Sequence, residues 1–116
     1  MSTIVACRIT YEPLRSLGFA NIGANYVAVG GASLNPTYMF AIDNDTDTNL
    51  IISFDGVDDH TFVAAMSGRI YDYCANKAVA GLAAQPQNTR VYVRTESGGT
   101  PTVGSVYVTS IYLATV

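Results

Sequence analysis

The chain has 116 residues, of which 49% are hydrophobic and only 13% charged, against about 25% charged in ordinary soluble domains. A chain of this length buries roughly two-thirds of its unfolded surface, so residues 1–116 are expected to form one domain with its own core and no need of metal or disulfide support. The formal net charge of −3 excludes the basic footprint that direct nucleic-acid binding requires, and no window reaches the run of about 18 apolar residues that a membrane-spanning helix needs.

Short runs rich in Val, Ile, Thr, Tyr and Phe, separated by turn residues, predict an all-β sandwich or barrel with about eight antiparallel strands. In chain order they are Thr3–Thr10, Tyr26–Val29, Tyr38–Asp43, Leu50–Asp55, Thr61–Ala64, Arg69–Cys74, Thr89–Thr95 and Ser105–Ala114. Gly30-Gly31, Asn35-Pro36, Asp55-Gly56, Ser67-Gly68 and the stretch Ser97–Pro101 punctuate them. Two stretches fit no strand pattern. Glu12–Asn25 is consistent with one helical turn after Pro13 or with an extended arm, and the Ala-rich Asn76–Pro86 with a short helix or an apolar loop.

Alternation assigns faces. In the strand ending at Thr95, Val91 and Val93 point one way and Arg90, Tyr92 and Arg94 the other. The run SVYVTSIYLATV is apolar on both faces, with Val106, Val108, Ser110 and Tyr112 on one and Tyr107, Thr109, Ile111 and Leu113 on the other. One core can bury only one of these sets. The expectation is that Val108 belongs to the core and that Tyr107 and Ile111 belong to an interface, because Tyr tolerates a half-wet surface.

Six of the nine acidic residues (Asp43, Asp45, Asp47, Asp55, Asp58 and Asp59) lie between 43 and 59, leaving six bases and three acids, a net of +3, elsewhere. Asp43, Asp45 and Asp47 match the first ligand positions of an EF-hand loop, but its glycine and its last acidic ligand are replaced by Thr48 and Phe54. A looser site from Asp43, Asp47 and one of Asp58 or Asp59 is the remaining metal reading. Turn chemistry explains the same residues without an ion, since Asp and Asn accept turn geometry. No metal and no cofactor is therefore expected. His60 is the sole histidine, and neither Cys7 nor Cys74 sits where a thiol would be activated, so no catalytic constellation is visible and no enzyme is expected. The two cysteines belong to no C-x-x-C pair; buried thiols and a disulfide between them both fit the sequence. The start MSTIVACRITYEP lacks the pattern of a signal peptide, which predicts synthesis in the cytoplasm.

With eight tyrosines and no Trp, the candidate binding surface is aromatic and cationic. Arg69, Tyr71 and Tyr73 share a face of one strand, and Arg90, Tyr92 and Arg94 a face of another. Together with Tyr107 and Ile111 they are the predicted partner interface, since Tyr adds contact area at little entropic cost and Arg pairs with carboxylates. The same faces would also suit a sugar.

The order RSLGFANIGANYVAVGG, NPTYMFAIDNDTDTNLIISFDGVDDH, an NK pair at 76 and 77, and TRVYVRTESGGTPTVGSVYVTSIY resembles small virion structural proteins of tailed bacteriophages, from about Pro13 to Tyr112. The resemblance implies a jelly-roll-like β-sandwich that binds the capsid exterior as a cement or decoration protein. It would act as a homo-oligomer whose partners are the major capsid protein or other virion subunits, in the virion after synthesis in the host cytoplasm. Neck or tail components share this size and fold, and a carbohydrate-binding module used in host attachment is the alternative of another class.

Overall fold

The computed structural model describes residues 7–37, 39–72, 77–78, 81–82 and 85–115. Tyr73 and Cys74 lie outside the described residues, and with them the state of the cysteine pair. The strands are β1 (Cys7–Tyr11), β2 (Arg15–Gly18), β3 (Val27–Ala28), β4 (Met39–Asn44), β5 (Leu50–Ser53), β6 (Thr61–Val63), β7 (Ser67–Asp72), β8 (Lys77–Ala78), β9 (Gly81–Leu82), β10 (Tyr92–Thr95) and β11 (Ser105–Thr115).

Two antiparallel sheets form the sandwich. The first has five strands in the order β1-β11-β4-β7 with β2 also on β11, and the second has four in the order β3-β10-β5-β6. β1 and β2 lie end to end along one edge of β11, where Tyr11 faces Ile111 and Arg15 faces Val108. Treated as two halves of one interrupted strand, and with the β8–β9 hairpin set aside, the strands number eight, ordered 1-8-3-6 and 2-7-4-5. First pairs with last, second with seventh, third with sixth and fourth with fifth. That is a long antiparallel ribbon wound on itself, the strand order of a jelly roll.

The core lies between the sheets. Val106 and Val108 of β11, Phe40 and Ile42 of β4, Leu50 and Ile52 of β5, Val63 of β6 and Val93 of β10 are all buried. Every one of these sits at alternate positions of its strand, so the pleat alone delivers them to one face. The alternation expected for β11 and around Val91 and Val93 holds, although the regular strand begins at Tyr92 rather than Thr89.

Glu12–Asn25 resolves as the extended alternative: β2, then a single 3-10 turn over Phe19–Asn21. Pro13, which has no N–H to give, falls in the break between β1 and β2. The break lets Glu12 turn inward. Its buried carboxylate accepts hydrogen bonds from the Leu34 and Asn35 backbone N–H groups at 3.1 and 3.0 Å and pairs with Arg15 Nη2 at 2.6 Å. Arg15 Nη1 in turn donates to Ser110 Oγ at 3.0 Å, so the ion pair is hydrogen-bonded on both sides, as a buried pair must be. Within Asn76–Pro86 the described residues form the β8–β9 hairpin, a third option beside the helix and the loop. Among the described residues no helix is long and apolar enough to cross a membrane.

Candidate functional site

The acidic segment 43–59 is organised by side chains that bond within the protein. Asn44, on β4, is buried; its Nδ2 donates toward the carbonyls of Thr48, Val63 and Ala64 at 2.9, 3.2 and 3.1 Å, and its Oδ1 accepts from Thr46 N and Oγ1 at 3.0 and 2.6 Å. Asp47 reaches across to accept from the backbone N–H of Thr102 at 2.9 Å and from its hydroxyl, and these bonds hold its carboxyl below the ordinary range. Gly104 completes this corner with φ +92; a Cβ there would meet the carbonyl oxygen of Asp45 at 1.9 Å, so only glycine fits.

The second acidic loop is also a built turn. Asp55 Oδ1 accepts from Val57 N, Asp58 N and Ser53 Oγ at 2.8, 2.9 and 2.8 Å, donors that depress its carboxyl strongly. Ligand atoms of Asp55, Asp58 and His60 lie within 4.8 Å of one another, and the donor set resembles a cation site. The bonding already present opposes it. His60 Nδ1 accepts the Phe54 backbone N–H at 3.0 Å, which places the ring's own proton on Nε2, the nitrogen 3.9 Å from Asp55 Oδ2. A protonated Nε2 donates to a carboxylate and cannot ligate. The looser set of Asp43, Asp47 and Asp58 or Asp59 is likewise divided, with Asp47 bound to Thr102 and Asp59 to Arg94.

Asp59 anchors a small cluster on the outer face of the four-stranded sheet. Arg94 Nη2 lies 2.7 Å from Asp59 Oδ2, the Tyr26 hydroxyl donates to Asp59 Oδ1, and the Arg94 guanidinium stands 5.5 Å from the centre of the Tyr26 ring. The Arg94 bond holds the Asp59 carboxyl low, while Tyr26 is raised by its partial burial and then by Asp59. Tyr92 points to the same side and lies against Gly56, where a Cβ would approach its ring to 3.3 Å.

The predicted interface residues thus divide between places. Arg90, Tyr92 and Arg94 belong to the side of the four-stranded sheet. Tyr107 and Ile111 lie on the outer face of the five-stranded sheet, half-buried, opposite the buried Val106 and Val108. Arg69 and Tyr71 do share a face, but that face turns inward: Tyr71 stacks on Phe40 with ring centres 4.7 Å apart, and its hydroxyl is 2.7 Å from Thr61 Oγ1. Arg69, at the edge of the same strand, remains exposed.

Register identifies what surrounds Tyr107 and Ile111. Antiparallel partners share a face, so Ile111 is flanked by Met39 and Tyr11, Thr109 by Ala41, and Ala41 in turn by Ile70. Ile9 continues the same side of β1. Ile70, Ile9 and Tyr11 are 73%, 66% and 65% exposed, and with Met39, Ala41 and Ile111 they form an apolar diagonal across the sheet. Sequence reasoning reached only Ile111 and Tyr107 of this surface. The run Met39-Phe40-Ala41-Ile42 carries the signal that marks β11, apolar on both faces, and points to Met39 and Ala41; Ile9, Tyr11 and Ile70 join them only through register.

No protein-family model matches the chain, and no curated protein matches it. Solved structures do. A chain described as the cyanophage Pam1 capsid asymmetric unit aligns over 94% of this chain and 85% of its own length, with 16% sequence identity and a TM-score of 0.53. The likeness is one of fold. A weaker one, at 13% identity and a TM-score of 0.41, covers 90% of this chain and 49% of the SPP1 Dit protein, a phage hub adsorption apparatus component.

Proposed function

We propose that this chain is a structural subunit of a bacteriophage virion that binds and stabilises the capsid exterior as a cement or decoration protein. The observation that carries the reading is the apolar outer face of the five-stranded sheet, where Ile9, Tyr11 and Ile70 are each exposed by more than half; contiguous exposed apolar surface of this kind marks interaction sites. The jelly-roll strand order and the fold shared with a capsid chain support it. Such a role requires area and geometry and no catalytic group, and contacts that bridge neighbouring shell subunits stabilise a particle by mass action and repetition. The polar clusters are committed to internal bonds, which accords with a protein that is not an enzyme.

The test is binding of the purified protein to capsids of the parent phage. Co-sedimentation with capsids, and its density on their outer surface in a cryo-EM reconstruction, is the expected result. Density at the neck or tail, or no binding to particles, overturns the cement role. The sugar reading gains nothing from the structure, since Tyr71 is half-buried and stacked on the core residue Phe40 and Tyr92 lies against the Asp55 turn.

A further inference from the structure

The outer face of the five-stranded sheet carries charge of one sign. Asp43 on β4 and Asp72 on β7 lie on it by register, beside the apolar diagonal. Asp45 joins Asp43 and Tyr107 in lining a shallow recess of about 460 Å³ at the end of that diagonal. Two basic side chains of these strands belong to the inward-facing set: Arg15 pairs with Val108 and Arg69 with Ile42. Among the described residues no Lys or Arg stands on this face.

We infer that this face docks on a virion shell subunit whose contact surface is apolar with a cationic rim, an arginine of the partner entering the recess between Asp43, Asp45 and Tyr107. The inference rests on the virion reading above and adds to it the face used and the chemistry of the surface it meets. Charge decides the occupant. A second copy laid face to face would bring only carboxylates and apolar side chains against Asp43 and Asp45, and an uncompensated carboxylate in a closing interface is strongly unfavourable. A cationic rim removes that penalty, and arginine suits the recess because its planar guanidinium can bind a carboxylate and lie on a tyrosine ring at once. The six apolar side chains supply the desolvated centre that such an interface needs around its charged contacts.

The experiment is co-sedimentation of the protein with capsids of the parent phage across a salt series, using three variants whose positions are exposed. Ile70→Asp is expected to weaken binding by about tenfold or more. Asp43→Lys is expected to weaken it at low salt and to flatten its salt dependence. Arg90→Glu, exposed on the opposite side of the sandwich, should bind as the unaltered protein does. Circular dichroism should give the same spectrum for all three. Loss of binding by Arg90→Glu with the other two unaffected overturns the choice of face while leaving the virion reading intact. A free homodimer that Ile70→Asp dissociates overturns the choice of occupant. An unaltered protein that binds no capsid overturns the virion reading and this inference with it.

Discussion

Over β5 and β6 the outer side of the sandwich is finished by loops whose carboxylates accept hydrogen bonds, whereas over β4, β7 and β11 it ends in exposed Ile and Tyr side chains. Both regions begin from strands of similar composition. Ile51 and Phe62, on the outer side of the first, are half-buried beside the Asp59–Arg94–Tyr26 cluster, while Ile70 on the second is 73% exposed. Acidic residues in this protein are most numerous where they close turns, and the surface left apolar is the one with few internal bonds to make.

The contrast can be broken most severely within β11. Val108→Asp places an unpaired carboxylate in the closed core, at a cost of several kcal/mol against a total stability of about 5–15, and circular dichroism should show an unfolded chain. Tyr107→Asp, one position along and on the outer face, should stay folded; a folded Val108→Asp would mean the assigned faces are wrong. The next largest effect is expected in the acidic loop. Asn44→Ala removes a buried donor shared by three carbonyls, and the acceptor of the Thr46 bonds, and should cost about 3 kcal/mol in urea unfolding, whereas Asp45→Ala, exposed and outside that network, should cost almost nothing.

Acid acts on the carboxylate-closed turns. Asp55, Asp47 and Asp59 all have folded-state carboxyls below their ordinary value of 3.8. A depressed group contributes stability that is complete above its unfolded value and disappears as pH falls through the folded one. The melting temperature should therefore drop between about pH 4 and about pH 2, and Asp55→Asn should reduce that drop. An equal drop in both proteins would remove the turn from the account. The smallest effect is the one expected from metal. A cation binding only the native state at 100 times its dissociation constant would add about 2.7 kcal/mol, so an unchanged melting temperature in millimolar calcium or zinc is the prediction, and a rise of several degrees would show that the Asp55–His60 turn rearranges to hold an ion.

Much of this architecture was legible from residue patterns because the deciding interactions are local. The alternation of Val91 and Val93, the two-sided β11 and the turn pairs all act within a few positions. β2 was hidden because four residues between Pro13 and the Phe19–Asn21 turn carry no period of their own; their pairing with β11, some ninety positions later, makes them a strand. Tyr71 shares a face with Arg69 as expected, but whether that face looks in or out depends on Phe40, which needs a ring to cover it. Asn44 gave no signal either. Its acceptors at Val63 and Ala64 are brought to it only by the folded sheets.

β11 follows the other ten strands in the chain, yet it is the strand on which β1, β2 and β4 all pair. Cys7 stands opposite Thr115, so the first described strand waits for the last before it can join a sheet. The β5–β6 hairpin can close as soon as it is made, but the larger sheet has no centre until residue 105 and beyond are available. Pairing across such separations is paid for in loop-closure entropy before it is rewarded. Folding should consequently proceed in two stages, with the β5–β6 hairpin and its Asp55 turn assembled early and the larger sheet, with its exposed apolar diagonal, completed late, so that the diagonal stands on an unfinished chain for the least time.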